Sequence, residues 1–358
     1  MPPRAVVEVA LGERSYPVHI GRGTFDELGA ILAPLRPTAV ACGLAEGVAR
    51  LYPKVKGALG TGLAARFEFP SGEKAKSWDS LLAAWTAFAG AGLDRGSVVI
   101  AVGGGSLTDL VGFAAATWHR GIPWIAVPTT FLGMVDAAIG GKTAINLPGG
   151  KNLVGAFHHP RAVVCDLAFL DTLPPEEFAT GLAEVVKAGI VGDPGLFTLL
   201  EGRGNDLRRD GDLRFEVVRR AVAVKAAIVG RDERESGERR VLNFGHTVGH
   251  ALEKASGFGL PHGRAVAAGM VAECRIACAR KLLGPEVLGR VERTIEALGL
   301  PTSSPALDRR AILDALSADK KARGGRLVFA LPRDLGRVEI VEGIGPAEVA
   351  AALEAAAP

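Results

Sequence analysis

Three histidines, His246, His250 and His262, fall in the run RRVLNFGHTVGHALEKASGFGLPHG that begins at Arg239. His246 and His250 are four residues apart, so on a helix they project from one face a turn apart. Two imidazoles and one carboxylate could hold a divalent ion and leave a coordination position open for substrate, as catalytic zinc sites require. Glu184, in GLAEVVK, is the candidate carboxylate. A HisxxxHis pair by itself is as readily a packed or solvated feature of a helix. Three of the chain's seven histidines gathering beside Arg239 and Asn243 favours metal chemistry. HisGluxxHis is absent, so a metalloprotease lacks its base.

A second kind of chemistry lies upstream. In VVIAVGGGSLTDL a buried strand runs into Gly103, Gly104 and Gly105 and then into a helix beginning near Ser106, which lets backbone amides approach a pyrophosphate. Asp109 is expected in the first helical turn, either as a helix N-terminal charge or as a ribose contact. Between Pro128 and Pro160, Asp136, Lys142, Asn146, Lys151 and Asn152 are spaced by Gly140, Gly141, Gly149 and Gly150. Glycine turns carrying lysines suit a compact anion such as phosphate, because the ammonium supplies point charge while glycine lets the chain close in. His158 and His159 carry no further pattern and read as structural. Cys274 and Cys278 share a helical face and read as small buried residues rather than ligands.

The elements that must position these groups alternate in the first half: a hairpin at Ala5 to Ala10 and Tyr16 to Ile20, then strands at Thr38 to Ala41, Ala65 to Phe69, Val98 to Val102, Trp124 to Val127 and Val163 to Asp166, with helices between. That pattern predicts an α/β layer architecture. From Pro174 the pattern changes to long amphipathic helices: Pro175 to Val191, Leu207 to Val229, Val241 to Ala255, Ala265 to Leu283 and Pro285 to Leu298, with a late strand pair at Arg326 to Leu331 and Val338 to Val341. The expectation is therefore an N-terminal α/β domain over residues 1–172 and a mostly helical C-terminal domain over 173–358.

Composition limits the partners. A length of 358 residues allows two domains with real cores, and a net charge of +3 spread over interspersed charges lacks the footprint of a nucleic-acid binder. Four scattered cysteines suggest a reducing compartment. The start MPPRAVVEVALGERS carries no leader-like apolar core, and no segment offers the roughly eighteen apolar residues of a membrane span. The expected location is cytoplasmic, away from membranes.

Three runs carry a resemblance: GGGSLTDLVGFAAATWHRGIPWIAVPTTFLGMVDAAIGGKTAINLPGGKNLVGAFHHP; TGLAEVVKAGIV; and DERESGERRVLNFGHTVGHALE with its later PHGRAVAAGM. In order and spacing, over nearly the whole chain, they resemble the 3-dehydroquinate synthase family. The resemblance implies a lyase of aromatic amino-acid biosynthesis, the shikimate pathway, that converts 3-deoxy-D-arabino-heptulosonate 7-phosphate into 3-dehydroquinate and phosphate. It implies a Rossmann-like N-terminal domain joined to a helical C-terminal one, NAD, a divalent metal (zinc, with cobalt as an alternative) and a homodimer. Carried over by position, Glu184, His246 and His262 become the metal ligands, and His250 becomes an acid/base group. Lys142, Lys151, Asn152, Lys187, Arg239, Asn243, Asp136, Lys225 and Arg120 become substrate contacts, as does one of Lys320 and Lys321, with Lys321 preferred. The NAD positions are Ser71, Gly72, Glu73, Lys74, Ala75 and Lys76; Gly105, Ser106, Leu107, Thr108 and Asp109; Thr129 and Thr130; Lys142 and Lys151; and Phe169, Leu170, Asp171 and Thr172. The segment ACGLAEGVARLY lacks the Asp or Asn that the family often places near the adenosine ribose. Two alternatives are a glycerol-type polyol dehydrogenase and another sugar-phosphate cyclase. Lys142, Lys151, Lys187, Lys225 and Arg239 argue against an uncharged polyol, and Arg239 with Asn243 suits a substrate carboxylate.

Overall fold

The structure is a computed structural model that describes residues 2–59, 63–304, 307–322 and 327–354, without the side chains of 318–322. In chain order the elements are β1 (Arg4–Val9), β2 (Tyr16–Gly21), α1 (Leu28–Leu32), β3 (Val40–Ala45), α2 (Tyr52–Leu59), β4 (Leu63–Phe69), α3 (Trp78–Gly90), β5 (Val98–Gly103), α4 (Gly105–Thr117), β6 (Trp124–Pro128), β7 (Lys142–Leu147), β8 (Gly150–Phe157) and β9 (Ala162–Asp166). There follow α5 (Pro175–Gly192), α6 (Pro194–Arg203), α7 (Gly211–Arg231), α8 (His246–Ala255), α9 (His262–Ala279), α10 (Pro285–Ala297), α11 (Arg309–Ala322), β10 (Val328–Asp334), β11 (Arg337–Glu342) and α12 (Pro346–Glu354). Two compact units result: Met1–Pro174 with Arg214–Arg234, and Pro175–Leu213 with Glu235–Pro358.

In the first unit, seven strands lie in the order β1-β2-β9-β6-β5-β3-β4. Only β1 runs antiparallel to its neighbour; the others pair in parallel. Every residue of β3, β5, β6 and β9 is buried. These strands are covered on both faces, which is why they read as unbroken apolar runs such as VVIAVG. β1, half exposed, alternates instead. Phe25, Leu28, Val55, Ile100 and Ile125 form part of one core cluster. The α/β expectation for this half holds.

Three local expectations change. The glycine-rich stretch after Gly141 was expected to form turns, yet it builds an antiparallel hairpin, β7 with β8, in which Lys142 faces Phe157 and Leu147 faces Gly150. Its glycines hide the period-two pattern: a Cβ on Gly155 would lie 2.1 Å from the Thr143 carbonyl oxygen, so the close crossing excludes the apolar residue a strand would show. Second, the helix expected from Val241 begins at His246, because Gly245 takes φ +80 and ends a separate 3-10 turn, Glu238–Asn243. Arg239 and Asn243 therefore do not share the histidine helix. Third, α9 starts at His262 itself. The helix α7, read in sequence with the second domain, makes its contacts in the first unit.

The second unit is helical apart from the antiparallel pair β10 and β11. Its centre is α5, buried along Thr180 to Val191, packed against α9. No helix among the described residues is long and apolar enough to cross a membrane.

Candidate active site

Within the first unit, four separated segments leave the carboxyl ends of parallel strands. Ser71 to Lys76 follows β4, Gly105 to Asp109 follows β5, Thr129 and Thr130 follow β6, and Phe169 to Thr172 follows β9. The chain switches sides at β3, with β4 on one side of it and β5 on the other, and such a switch point is where open α/β sheets bind ligands. Strand pairing alone thus places these expected cofactor residues along one edge.

The glycines after β5 serve the protein's packing as well as any ligand. A Cβ on Gly103 would lie 2.6 Å from Leu107, and one on Gly105 would lie 2.6 Å from Ala137. No side chain caps α4 at Gly104, and an uncapped helix N-terminus is where an anion can be bound by backbone amides. The Thr129 amide donates to the Gly103 carbonyl at 2.9 Å, and Thr108 Oγ1 donates back to the Gly105 carbonyl at 2.9 Å. Asp109 lies beyond the first turn of α4 and does not cap it. It accepts from Lys76 Nζ at 2.5 Å, and burial pushes its carboxyl up to about 6 against the pull of Lys76. Lys76 is 4% exposed. Glu73 Oε2 accepts from Ser106 Oγ at 2.9 Å, and Ser71 Oγ accepts from the Gly47 amide at 2.9 Å. Ala75 and Leu170 are core residues, while Gly72, Lys74 and Thr172 are exposed. Phe169 packs edge-on to Phe25, and Asp171 pairs with Arg22 and Arg214 at 2.6 and 3.0 Å.

The same unit carries charged groups expected to meet substrate. Lys225 of α7 pairs with Asp136. Lys142 and Lys151 are exposed on the hairpin, with Asn152 next to Lys151 at φ 57. Arg120 is exposed at φ 69, after His119 at φ 47. Two successive non-glycine residues in the left-handed region mark a backbone held by its surroundings. His158 and His159 are structural, as expected: His158 Nε2 lies 2.8 Å from the Ile122 carbonyl oxygen, and His159 pairs with Glu233 at 3.0 Å.

In the second unit, Glu184, His246 and His262 converge. Nε2 of His246 and Nε2 of His262 each lie 3.4 Å from Glu184 Oε1. Those separations exceed a normal N–H···O bond, so Glu184 Oε1 is not tightly hydrogen-bonded to either imidazole. Tetrahedral ligands at zinc-like bond lengths stand about 3.3 Å apart, so the donor set fits a divalent ion of that size. His246 Nδ1 faces the Phe244 carbonyl at 3.1 Å and His262 Nδ1 faces Glu253 Oε2 at 3.3 Å, which turns both Nε2 atoms toward Glu184. Lys187 Nζ stands 2.5 Å from Glu184 Oε2, one turn along α5. Burial alone would raise the Glu184 carboxyl, but Lys187 and His246 hold it well below the usual carboxylate range. Burial lowers His262, and the Glu184 and Glu253 carboxylates outweigh it and raise the imidazole to about 10.

Packing sets this convergence. A Cβ on Gly263 would sit 2.3 Å from Thr180 Cα, so the start of α9 presses on α5 one turn before Glu184. A Cβ on Gly269 would sit 2.1 Å from the Gly245 carbonyl oxygen, which brings α8 and α9 into the same close contact. Glu273, buried in α9, accepts from the Gly245 and Val248 amides at 2.7 and 3.2 Å and so caps α8 at the turn that carries His246. Neither Glu253 nor Glu273 was singled out in sequence. Glu253 was accessible in principle, being three residues after His250 on the same helical face; Glu273 was not, since only the helix crossing brings it there.

His250 is exposed, its ring 5.3 Å from that of His246. It also joins Glu253 and His262 in a second, overlapping group of potential ligands. Lys187 and Arg239 are buried cations, and Asn243 Nδ2 donates to Glu235 at 2.6 Å. The side chains of Lys320 and Lys321 lie outside the described residues.

Comparison with known proteins adds an independent finding. The family descriptions 3-dehydroquinate synthase N-terminal and C-terminal match residues 66–180 and 181–322. A 3-dehydroquinate synthase of Bradyrhizobium sp. (strain BTAi1) is 42% identical over 365 residues, covering 98% of this chain and 96% of its own. Among solved structures, 2-epi-5-epi-valiolone synthase from Streptomyces hygroscopicus, with NAD+ and Zn2+ bound, superposes with a TM-score of 0.86 at 32% identity, covering 97% of this chain and 98% of that one. A 2-deoxy-scyllo-inosose synthase complexed with carbaglucose-6-phosphate, NAD+ and Co2+ gives a TM-score of 0.89 at 24% identity, covering 98% and 100%, a likeness of fold.

Proposed function

This chain belongs to the 3-dehydroquinate synthase family, and on that premise we propose that it binds NAD and a divalent metal, zinc by the donor set, and works as a cytoplasmic homodimer in the shikimate pathway. The enzyme is a 3-dehydroquinate synthase: it takes 3-deoxy-D-arabino-heptulosonate 7-phosphate to 3-dehydroquinate and phosphate. The observation that carries the metal reading is the convergence of Glu184, His246 and His262 on one point.

NAD supplies a reversible hydride acceptor, and the metal a Lewis acid for a substrate hydroxyl. The protein's own part is to bind, orient and move protons. Glu184, His246 and His262 hold the ion, with Lys187 beside Glu184 balancing its charge. His250, exposed and unneeded as a ligand, is the group that exchanges protons with substrate hydroxyls. Arg239 and Asn243 orient the carboxylate, Lys142, Lys151, Asn152 and Arg120 receive the phosphate and steady it as it leaves, and one of Lys320 and Lys321 is a further substrate contact. Asp136, paired with Lys225, orients a neighbouring hydroxyl. Residues 71–76, 105–109, 129–130 and 169–172 cradle the dinucleotide, in keeping with their common strand edge. The closing aldol step needs mainly a held conformation.

The test is phosphate release from the heptulosonate phosphate, with and without NAD and with and without chelator, while monitoring NADH. Release that needs both, with no NADH accumulating, is the expected result. NADH building up on glycerol without phosphate release would instead make the protein a polyol dehydrogenase, and turnover of a different sugar phosphate alone would make it another cyclase.

A further inference from the structure

Asn146 belongs neither to the proposed cofactor edge nor to the proposed substrate contacts on β8. Asn146 lies in β7 where the register with β8 shifts, between Ile145 and Leu147. Such an irregularity frees a residue from the ladder and re-aims its side chain. Its amide donates to the Lys76 carbonyl at 2.8 Å rather than to the partner strand. Its Nδ2 donates to Glu73 Oε1 at 2.7 Å, and its Oδ1 accepts from the Asn152 amide at 2.9 Å. Each of these partners belongs to a larger connection. Glu73 holds Ser106 at the start of α4, and the buried Lys76 donates both to Asp109 on the same helix and to the side chain of Asn152. Asn152 is itself in the left-handed region at φ 57, a conformation that needs local hydrogen bonds to persist. Asn146 and Lys76 thus reach from the dinucleotide edge to the turn that presents Lys151 and Asn152.

We infer that Asn146 is a positioning residue that couples the two sites: groups ordered by cofactor at Glu73, Lys76 and Ser106 hold Asn152 in its substrate-binding conformation, and substrate on that turn holds the cofactor edge in return. Such coupling is reciprocal by linkage. The inference rests on the proposed cofactor and substrate positions and adds to them a residue that touches neither ligand.

NADH is the suitable reporter, since it fluoresces and cannot take a hydride from the substrate. It is titrated into the metal-loaded protein with and without 3-deoxy-D-arabino-heptulosonate 7-phosphate. The parent protein should bind NADH about 5-fold or more tightly when the sugar phosphate is present. In Asn146→Ala that ratio should fall to near one, with metal content unchanged. If that variant does not fold, Asn146→Asp keeps an acceptor for the Asn152 amide and sets a carboxylate against Glu73, so the ratio should fall there too. An unchanged ratio in a folded variant, or a ratio of one in the parent, overturns the coupling. NADH that does not bind the parent at all would instead remove the cofactor reading beneath it.

Discussion

At the scale of residues, the proposed division of ligands from proton carriers rests on which nitrogen faces which oxygen. His246 and His250 are equivalent by spacing, yet only His246 stands 3.4 Å from Glu184, and His250 is exposed. Glu184→Ala should therefore release the metal from a protein that remains folded, whereas His250→Ala should keep its metal and lose turnover by about 100-fold. Metal analysis beside steady-state rates separates the two, and equal metal loss in both would return the site to a two-histidine helix. Glu253 Oε2 stands 3.3 Å from Nδ1 of His262, which leaves Nε2 as the proposed ligand atom. Glu253→Gln should weaken metal affinity by about 10- to 100-fold in a chelator competition, without unfolding. Unchanged affinity would reduce Glu253 to a packing residue.

Elements bring those residues together, and glycine is what lets them approach. The contact of α8 with α9 leaves no room for a Cβ at Gly269, so Gly269→Ala should destabilise the protein by on the order of 3 kcal/mol and lower metal affinity together with the unfolding midpoint. A variant as stable as its parent would mean the helices can part without cost. The cap that Glu273 places on α8 has a pH signature. Burial pushes its carboxyl from 4.5 up to about 8, against the amides of Gly245, Val248 and Thr247. Across that interval the folded protein keeps a proton that the unfolded chain has released. The stability it contributes is thus full below pH 4.5 and is lost as pH rises through about 8. Glu273→Gln, neutral throughout, should flatten the fall of the unfolding midpoint between about pH 5 and pH 9. A slope identical to the parent's would show that the amides keep the carboxylate ionised.

For the whole molecule, the two proposed ligands fall in different units: the metal donors in α5, α8 and α9, and the dinucleotide edge on the seven-stranded sheet. Metal or NAD at one hundred times its dissociation constant should stabilise the unit that binds it by about 2.7 kcal/mol. Calorimetry with chelator, with NAD and with both should then show two separable shifts; a chelator without effect would leave the metal no structural hold. Composition, periodicity and motif order were enough to establish the α/β half, the helical half and the family, because buried parallel strands and amphipathic helices leave continuous local patterns. The candidate site residues came by position from the family resemblance that the motifs carry. Composition, periodicity and motif order did not give the hairpin at Lys142–Phe157, whose close crossing replaces apolar side chains with glycine, or the break at Gly245 that separates Asn243 from His246. Nor could they give Glu273, or the register shift that frees Asn146 to join Glu73 to Asn152. Those contacts join residues distant in sequence through backbone approach, and local pattern carries no record of which backbones meet. Sequence alone determined what chemistry this protein carries; the tertiary structure decided which histidines face the carboxylate, because only packing fixes distance and direction.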